Sequence, residues 1–222
     1  MSYSLDFGWL YDALGAIARG ASMTIFLIAV TTVLGTVLSV ILAAGRRSGN
    51  RPLRQAITAY VEVIRNTPFL VQLFFIFFGL PSLGIRLDPV SAAILAMTLN
   101  MAAYTTEIVG AGIDAVSKGQ KEAGLALGLR PRQVFVKIVL PQALQIIFPA
   151  LTSQVVIMML ESAVVSQISV SELTYEGDML QARTFRAFET YFIITLVYLG
   201  LSIGLRRLLI RAGRATLPAG IS

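Results

Sequence analysis

Residues 20 to 45 form a run of 26 without a single charged side chain. A helix needs about 20 apolar residues to cross the hydrocarbon core of a bilayer, so this run spans with length to spare for tilt. Inside lipid every backbone N–H and C=O must find its partner within the protein, which leaves helices and closed barrels as the only spanning structures. A run this long selects the helix. Four further apolar runs follow. Residues 69–80 are too few to cross alone and must recruit part of 56–67. Residues 90 to about 113 make a third span. Residues 142–160 make a fourth, with Pro149 placed to kink it. Residues 191–205 begin a fifth, whose end Arg206 and Arg207 leave by snorkelling. The expectation is an all-α integral membrane bundle of five transmembrane helices.

Composition agrees. The 222 residues are 56% hydrophobic and 14% charged, with a mean hydropathy of +0.77, well beyond an ordinary soluble domain. No Cys and no His occur. Disulfides, thiolate metal sites, cysteine nucleophiles and imidazole bases are therefore excluded, and no metal site is expected. The net charge of +6 is not a nucleic-acid footprint, because the bases sit in alternate loops. Residues 46–65 carry five Arg against one Glu, residues 114–137 five bases against two acids, and the stretch after Leu205 four Arg. Residues 1–19 are net −1, residues 81–89 neutral, and residues 161–189 net −3. By the positive-inside rule the N-terminus lies outside and the C-terminus in the cytoplasm. Residues 1–19, acidic and aromatic, do not read as a cleaved signal; they make an interfacial helix on the outer face or a loose tail. Residues 20–210 form one transmembrane domain, and 211–222 a cytoplasmic tail.

One polar insertion between spans is built as a folded device. Residues 122–141 read EAGLALGLRPRQVFVKIVLP. A short Ala- and Leu-rich helix runs to Leu127, Gly128 supplies the φ > 0 residue that ends it, and Pro131 suits the first turn of a second helix. That helix continues until Pro141 interrupts its hydrogen bonding. Lys118, Lys121, Arg130, Arg132 and Lys137 crowd around the unit. A basic helix–Gly–helix between spans is suited to docking on a cytoplasmic partner.

Polar residues inside the spans are costly and usually face a cavity or a partner. Asn100, Tyr104 and Glu107 fall in the third span, with Asn100 seven residues before Glu107. Gln154 lies seven before Glu161 on one face of the fourth, with Ser162 beside it. Together with Gln72 they can line one polar path. The alternatives are interhelical hydrogen bonds for Asn100 and Gln154, a local pairing for Glu107 and a solvated loop for Glu161. Asn66-Thr67-Pro68 reads as a helix entry. Gly200 and Gly204, like Gly35 and Ser39, read as close helix packing, within the chain ahead of a contact between subunits. No GxxxxGK[ST] phosphate loop is present, so energy for transport comes from another polypeptide or an ion gradient.

The spacing of the polar insertion resembles the coupling loop of bacterial ABC importer permeases, E-A-A, three residues, G, nine residues, I, one residue, L-P. Glu122 and Ala123 open it, Gly128 follows, and Ile138 precedes the closing Leu140-Pro141; Gly124 stands where the pattern has its second Ala. Arg65-Asn66-Thr67-Pro68 and the run from Ala102 to Ile108 resemble segments of the polar amino acid branch of that family. Two departures stand out: Gly110 where many members have Arg, and Leu160-Glu161-Ser162 where many read K-D-T. The resemblance implies a permease in the bacterial cytoplasmic membrane, a second permease subunit, a pair of ABC ATPase subunits that bind the ATP, and an extracytoplasmic substrate-binding protein. It implies no cofactor and no enzymatic site in this chain, with an amino acid as substrate and Glu161 as its acidic contact. A gradient-driven transporter and a membrane enzyme are the rival readings; the coupling-loop spacing argues against the first and the absence of His and Cys against the second.

Overall fold

The computed structural model describes residues 4–216. Nine α-helices follow in order among them. α1 (Leu10–Arg46) runs without a break through the 26-residue uncharged stretch. Of the segment expected as a separate interfacial piece, residues 10–19 are the opening of α1 and residues 4–9 a non-helical lead into it, while residues 1–3 lie outside the described residues. It is tied down rather than loose: Glu189 accepts from the Asp6 amide at 3.1 Å, and Arg186 donates to the Ser4 carbonyl at 2.9 Å.

α2 (Arg51–Arg65) is capped by the Asn50 side chain, which accepts from Leu53 N. It meets α3 (Phe69–Phe74) at a bend of 112°. Asn66-Thr67-Pro68, expected as a helix entry, is also a helix exit: Asn66 caps α2 and returns its side-chain amide to Glu62 O, while Pro68 opens α3. α3 continues through a π-helical turn (Phe75–Gly79) and a 3-10 turn (Leu80–Leu83). Four helices are long and apolar enough to cross a membrane by themselves, and the bent pair makes a fifth crossing if taken as one span.

α4 (Pro89–Ala115), started by the Asp88 cap, is the central helix and packs most extensively on α1. Its buried Ala92, Ala93, Ala96, Ala102 and Ala103 let neighbours approach. In lipid, where the solvent is as apolar as a leucine side chain, such close packing replaces the hydrophobic effect as the cohesive term. The main core joins Leu27 and Ile28 of α1, Leu73 of α3, Met97 and Met101 of α4, and Met158 and Met159 of a later helix, α7 (Leu140–Glu161). Gly35 serves this packing directly, since a Cβ there would meet Met101 at 2.7 Å. Gly200 and Gly204 do not: a Cβ at either meets nothing within 4 Å. The expectation that they pack within the chain is therefore corrected: the last helix, α9 (Ala187–Thr216), packs through Ile194, Leu201, Leu205 and Leu209 instead.

After α5 (Lys118–Ala126) and α6 (Pro131–Val134) comes a second π-helical turn (Phe135–Val139), which leads into α7 (Leu140–Glu161). Pro141 therefore does not end the helix. The wider turn ahead of it lets the chain accommodate a residue that has no N–H and crowds the carbonyl four back, and residues 131–168 form one helical rod. A 3-10 turn (Ser162–Ile168), α8 (Leu173–Thr184) and α9 (Ala187–Thr216) complete the chain. The expected tail from residue 211 thus continues α9 to Thr216, and residues 217–222 lie outside the described residues.

Candidate functional site

The knob between α4 and α7 is a small folded unit. Gly128 adopts φ +81°. Its amide donates to Leu125 O at 2.9 Å, and that of Leu129 donates to Gly124 O at 3.2 Å. This pair of bonds is the Schellman arrangement that satisfies the last carbonyls of a helix. Arg130 then caps α6: Gln133 accepts from the Arg130 amide through Oε1 at 2.8 Å, with Pro131 next in line where its missing N–H costs nothing. Val116, Val134, Val139 and Ala143 form a local core, with Ile113, Leu129 and Ile138 against it.

Gly124 is buried in this unit, and a Cβ there would meet Ile138 Cδ1 at 2.6 Å and Val134 Cγ2 at 3.1 Å. The departure from Ala thus has a packing reason: α5 sits unusually close to the turn that follows it. Gln142 at the start of α7 donates to Gln120 of α5, and Lys121 donates to Ile113 O of α4. Glu122 and Ala123 remain exposed, as do Leu125 and Leu127; Leu127 is 82% exposed. Ile138, Leu140 and Pro141 are half-buried at the root of the rod. A push on α5 is thus delivered to α4 at one side and to the α6–α7 rod at the other.

The polar residues of the spans divide into three groups. At the loop-46 end, Glu107 accepts from Arg46 at 2.6 Å and lies 3.9 Å from Arg65, whose guanidinium stands 5.5 Å from the Tyr104 ring centre. Arg47 donates to Asp114 and to Gly110 O, both at 2.9 Å. A guanidinium thus lies beside Gly110, the glycine at which the family resemblance implies an arginine. Half-exposed pairs of this kind each contribute ~0.2–1 kcal/mol, so their value here is positional, joining α1, α2 and α4.

The second group sits at the 112° bend. Gln72 donates to Ile64 O at 2.7 Å and to Thr67 O at 3.0 Å, closing carbonyls that the bend leaves open. Buried Asn100 donates to Gln72 Oε1 at 3.0 Å, which anchors the bend to α4.

The third group lies on α7. Gln154 is buried, and Ser162 is buried with its hydroxyl turned back to Met159 O at 2.7 Å. Glu161 is half-buried, and its Oε2 is shielded from solvent with no hydrogen-bond partner among the described residues, as is Asn100 Oδ1 at the bend. An unanswered carboxylate oxygen is costly and is chemically fitted to take a cationic donor.

Sequence reasoning missed one polar centre. Glu172, in the acidic stretch 161–189 expected on the outer side, is fully buried. It caps α8 by accepting from Tyr175 N at 2.8 Å and accepts from Tyr198 of α9 at 2.6 Å and from Thr24 of α1 at 3.5 Å. Burial pushes its carboxyl up, with those hydrogen bonds opposing the shift. The available signal was its place one residue before an apolar helix start, although Glu is not a favoured cap.

Residues 35–211 match the family model described as the binding-protein-dependent transport system inner membrane component. The arginine transport system permease protein ArtQ of Bacillus subtilis is 35% identical over 88% of this chain and 90% of its own. The glutamine transport system permease protein GlnP of Escherichia coli is 35% identical over 92% and 97%. Among solved structures, an amino acid ABC transporter crystallised with histidines superposes at a TM-score of 0.90, with 34% identity over 96% of this chain and 100% of that one. The MetNI methionine ABC transporter, at 21% identity and a TM-score of 0.75, shares the fold.

Proposed function

The chain belongs to the family of inner membrane components of binding-protein-dependent transport systems, and we propose that it is the permease of an ATP-driven importer of polar amino acids. The observation that carries this is the knob. Its Schellman turn, its own small core and its continuity with α7 make α5–α6 a lever with an exposed Leu125/Leu127 face. A separate ATPase subunit seats on that face, and closure of an ATPase pair moves α5 and through it α4 and the α6–α7 rod. Two permease subunits then alternate between inward- and outward-facing states. A soluble binding protein on the other face favours one state and nucleotide the other, which gives direction.

The loop charges support an outside N-terminus with the knob in the cytoplasm. Glu161, with its unanswered oxygen, provides the counter-charge for the ammonium group that every amino acid carries. In a partly desolvated path that attraction is several times its value in water. Asn100, Tyr104, Glu107, Gln154 and Ser162 belong to the same proposed route, although the fold holds them in three separate groups along the spans. The chain itself needs no cofactor, since the nucleotide sits on the partner.

Tagged full-length chain, purified from its native membrane, is expected to bring an ATPase subunit with it. Reconstituted with the binding protein, it should take up labelled arginine, glutamine or histidine only when ATP is inside the ATPase compartment. Uptake driven by an ion gradient without nucleotide would overturn the reading.

A further inference from the structure

A groove of about 520 Å³ lies between α1, α7 and α9, outside the polar route. Ile25 and Val33 of α1, Met159 of α7 and Leu208 of α9 are among its walls, and its floor on α9 is Gly200 and Gly204. A Cβ at either glycine would enter empty space. The two glycines therefore keep a channel open where any larger side chain would fill it. The lining is almost wholly apolar and lies between three membrane-spanning helices, so water is not its natural occupant.

The charge at one end says what is. Arg207 follows Gly204 by three residues and Arg211 follows Leu208 by three, which puts both along the glycine-side edge of the groove. Both are exposed, and neither makes an ion pair among the described residues. The glycine-side edge of the groove thus carries two guanidiniums in no ion pair among the described residues, which suits an amphiphile with an anionic head.

We propose that this groove binds one acyl chain of an anionic phospholipid, with the lipid phosphate held by Arg207 and Arg211. Guanidinium and phosphate match in planar, two-pronged hydrogen bonding, and basic residues beside a span attract the anionic lipids of the cytoplasmic leaflet. The leaflet follows from the orientation proposed above; the groove and its arginines do not depend on it. A bound chain completes the α1–α7–α9 packing that the glycines leave unfilled, so the lipid acts as a wedge beside the rod that carries Glu161.

Native mass spectrometry of the full chain, released from nanodiscs of phosphatidylglycerol mixed equally with phosphatidylcholine of the same chain length, tests this. Wild type is expected to retain one phosphatidylglycerol per chain in at least about fivefold preference. Gly204→Leu fills the groove and should lose retention of both lipids. The double change Arg207→Gln with Arg211→Gln should keep a lipid and lose the preference. Gly200→Ala, a milder filling, guards against a misfolded Leu variant and should reduce retention about threefold. Equal retention in wild type and both glycine variants overturns the proposal. So does a disulfide between two copies carrying Gly204→Cys, because the groove then holds a second chain. ATP-driven uptake is read separately, so failure of the importer reading leaves this result standing.

Discussion

Gly128 offers the sharpest test of the knob as a lever. At φ +81° it lies where a side chain with a Cβ is strained, and a Cβ placed there meets nothing within 4 Å. The cost of substitution is therefore torsional and free of collision. For Ala the left-handed conformation costs ~1–2 kcal/mol, Asn costs less because its short polar side chain tolerates it, and Val costs more as a β-branched residue. If the chain relaxes by opening the turn, it also loses the two bonds from Gly128 N and Leu129 N, at ~1 kcal/mol each. A loss of ~1–2 kcal/mol lowers the docked geometry by a factor of roughly 5–30. Coupled ATP hydrolysis in proteoliposomes should thus fall in the order Asn, Ala, Val, with insertion unchanged. Gly119→Ala, in open space without positive φ, is the matched control and should behave as wild type. A Val variant with wild-type coupling, or an Asn variant as damaged as Val, refutes the reasoning.

Glu161→Gln keeps shape and removes charge; uptake should fall at least about tenfold, the equivalent of ~1.4 kcal/mol, with assembly intact, and unchanged uptake removes Glu161 from the path. Glu172→Gln tests the buried cap. Burial raises the Glu172 carboxyl above its ordinary 4.5, so the folded state holds the proton more tightly than the unfolded one, and the stability this provides is present at low pH and lost as pH rises through the folded value. The thermal midpoint of wild type relative to the Gln variant should therefore drop as pH climbs from about 4.5, and a constant difference from pH 4 to 8 counts against it. Gly35→Val forces a branched side chain onto Met101 and should cost ~1–3 kcal/mol in denaturant unfolding, whereas Gly200→Ala should leave that stability unchanged. A reporter after Arg51 should be cytoplasmic and one near Glu176 external; finding both on one side ends the five-span arrangement.

The elements that could be read from the chain are those set by local chemistry. Residues 20–45 had to be a spanning helix because lipid offers no hydrogen bonds to the backbone. The turn at Gly128 followed from the Gly and Pro131 spacing, since only glycine enters the left-handed region cheaply. Other features needed partners distant in sequence. Pro141 predicts a helix end from its own chemistry, yet a π-helical turn against Gly124 and Ala143 carries the rod through. Glu172 looks solvated in its acidic neighbourhood, and only Tyr198 and Thr24, contributed by two other helices, make its burial tolerable. Gly35 and Gly200 are the same residue in similar runs, one pressed on Met101 and the other open. Periodicity and composition describe a helix by itself, whereas which face meets a neighbour is decided by how all the helices pack together.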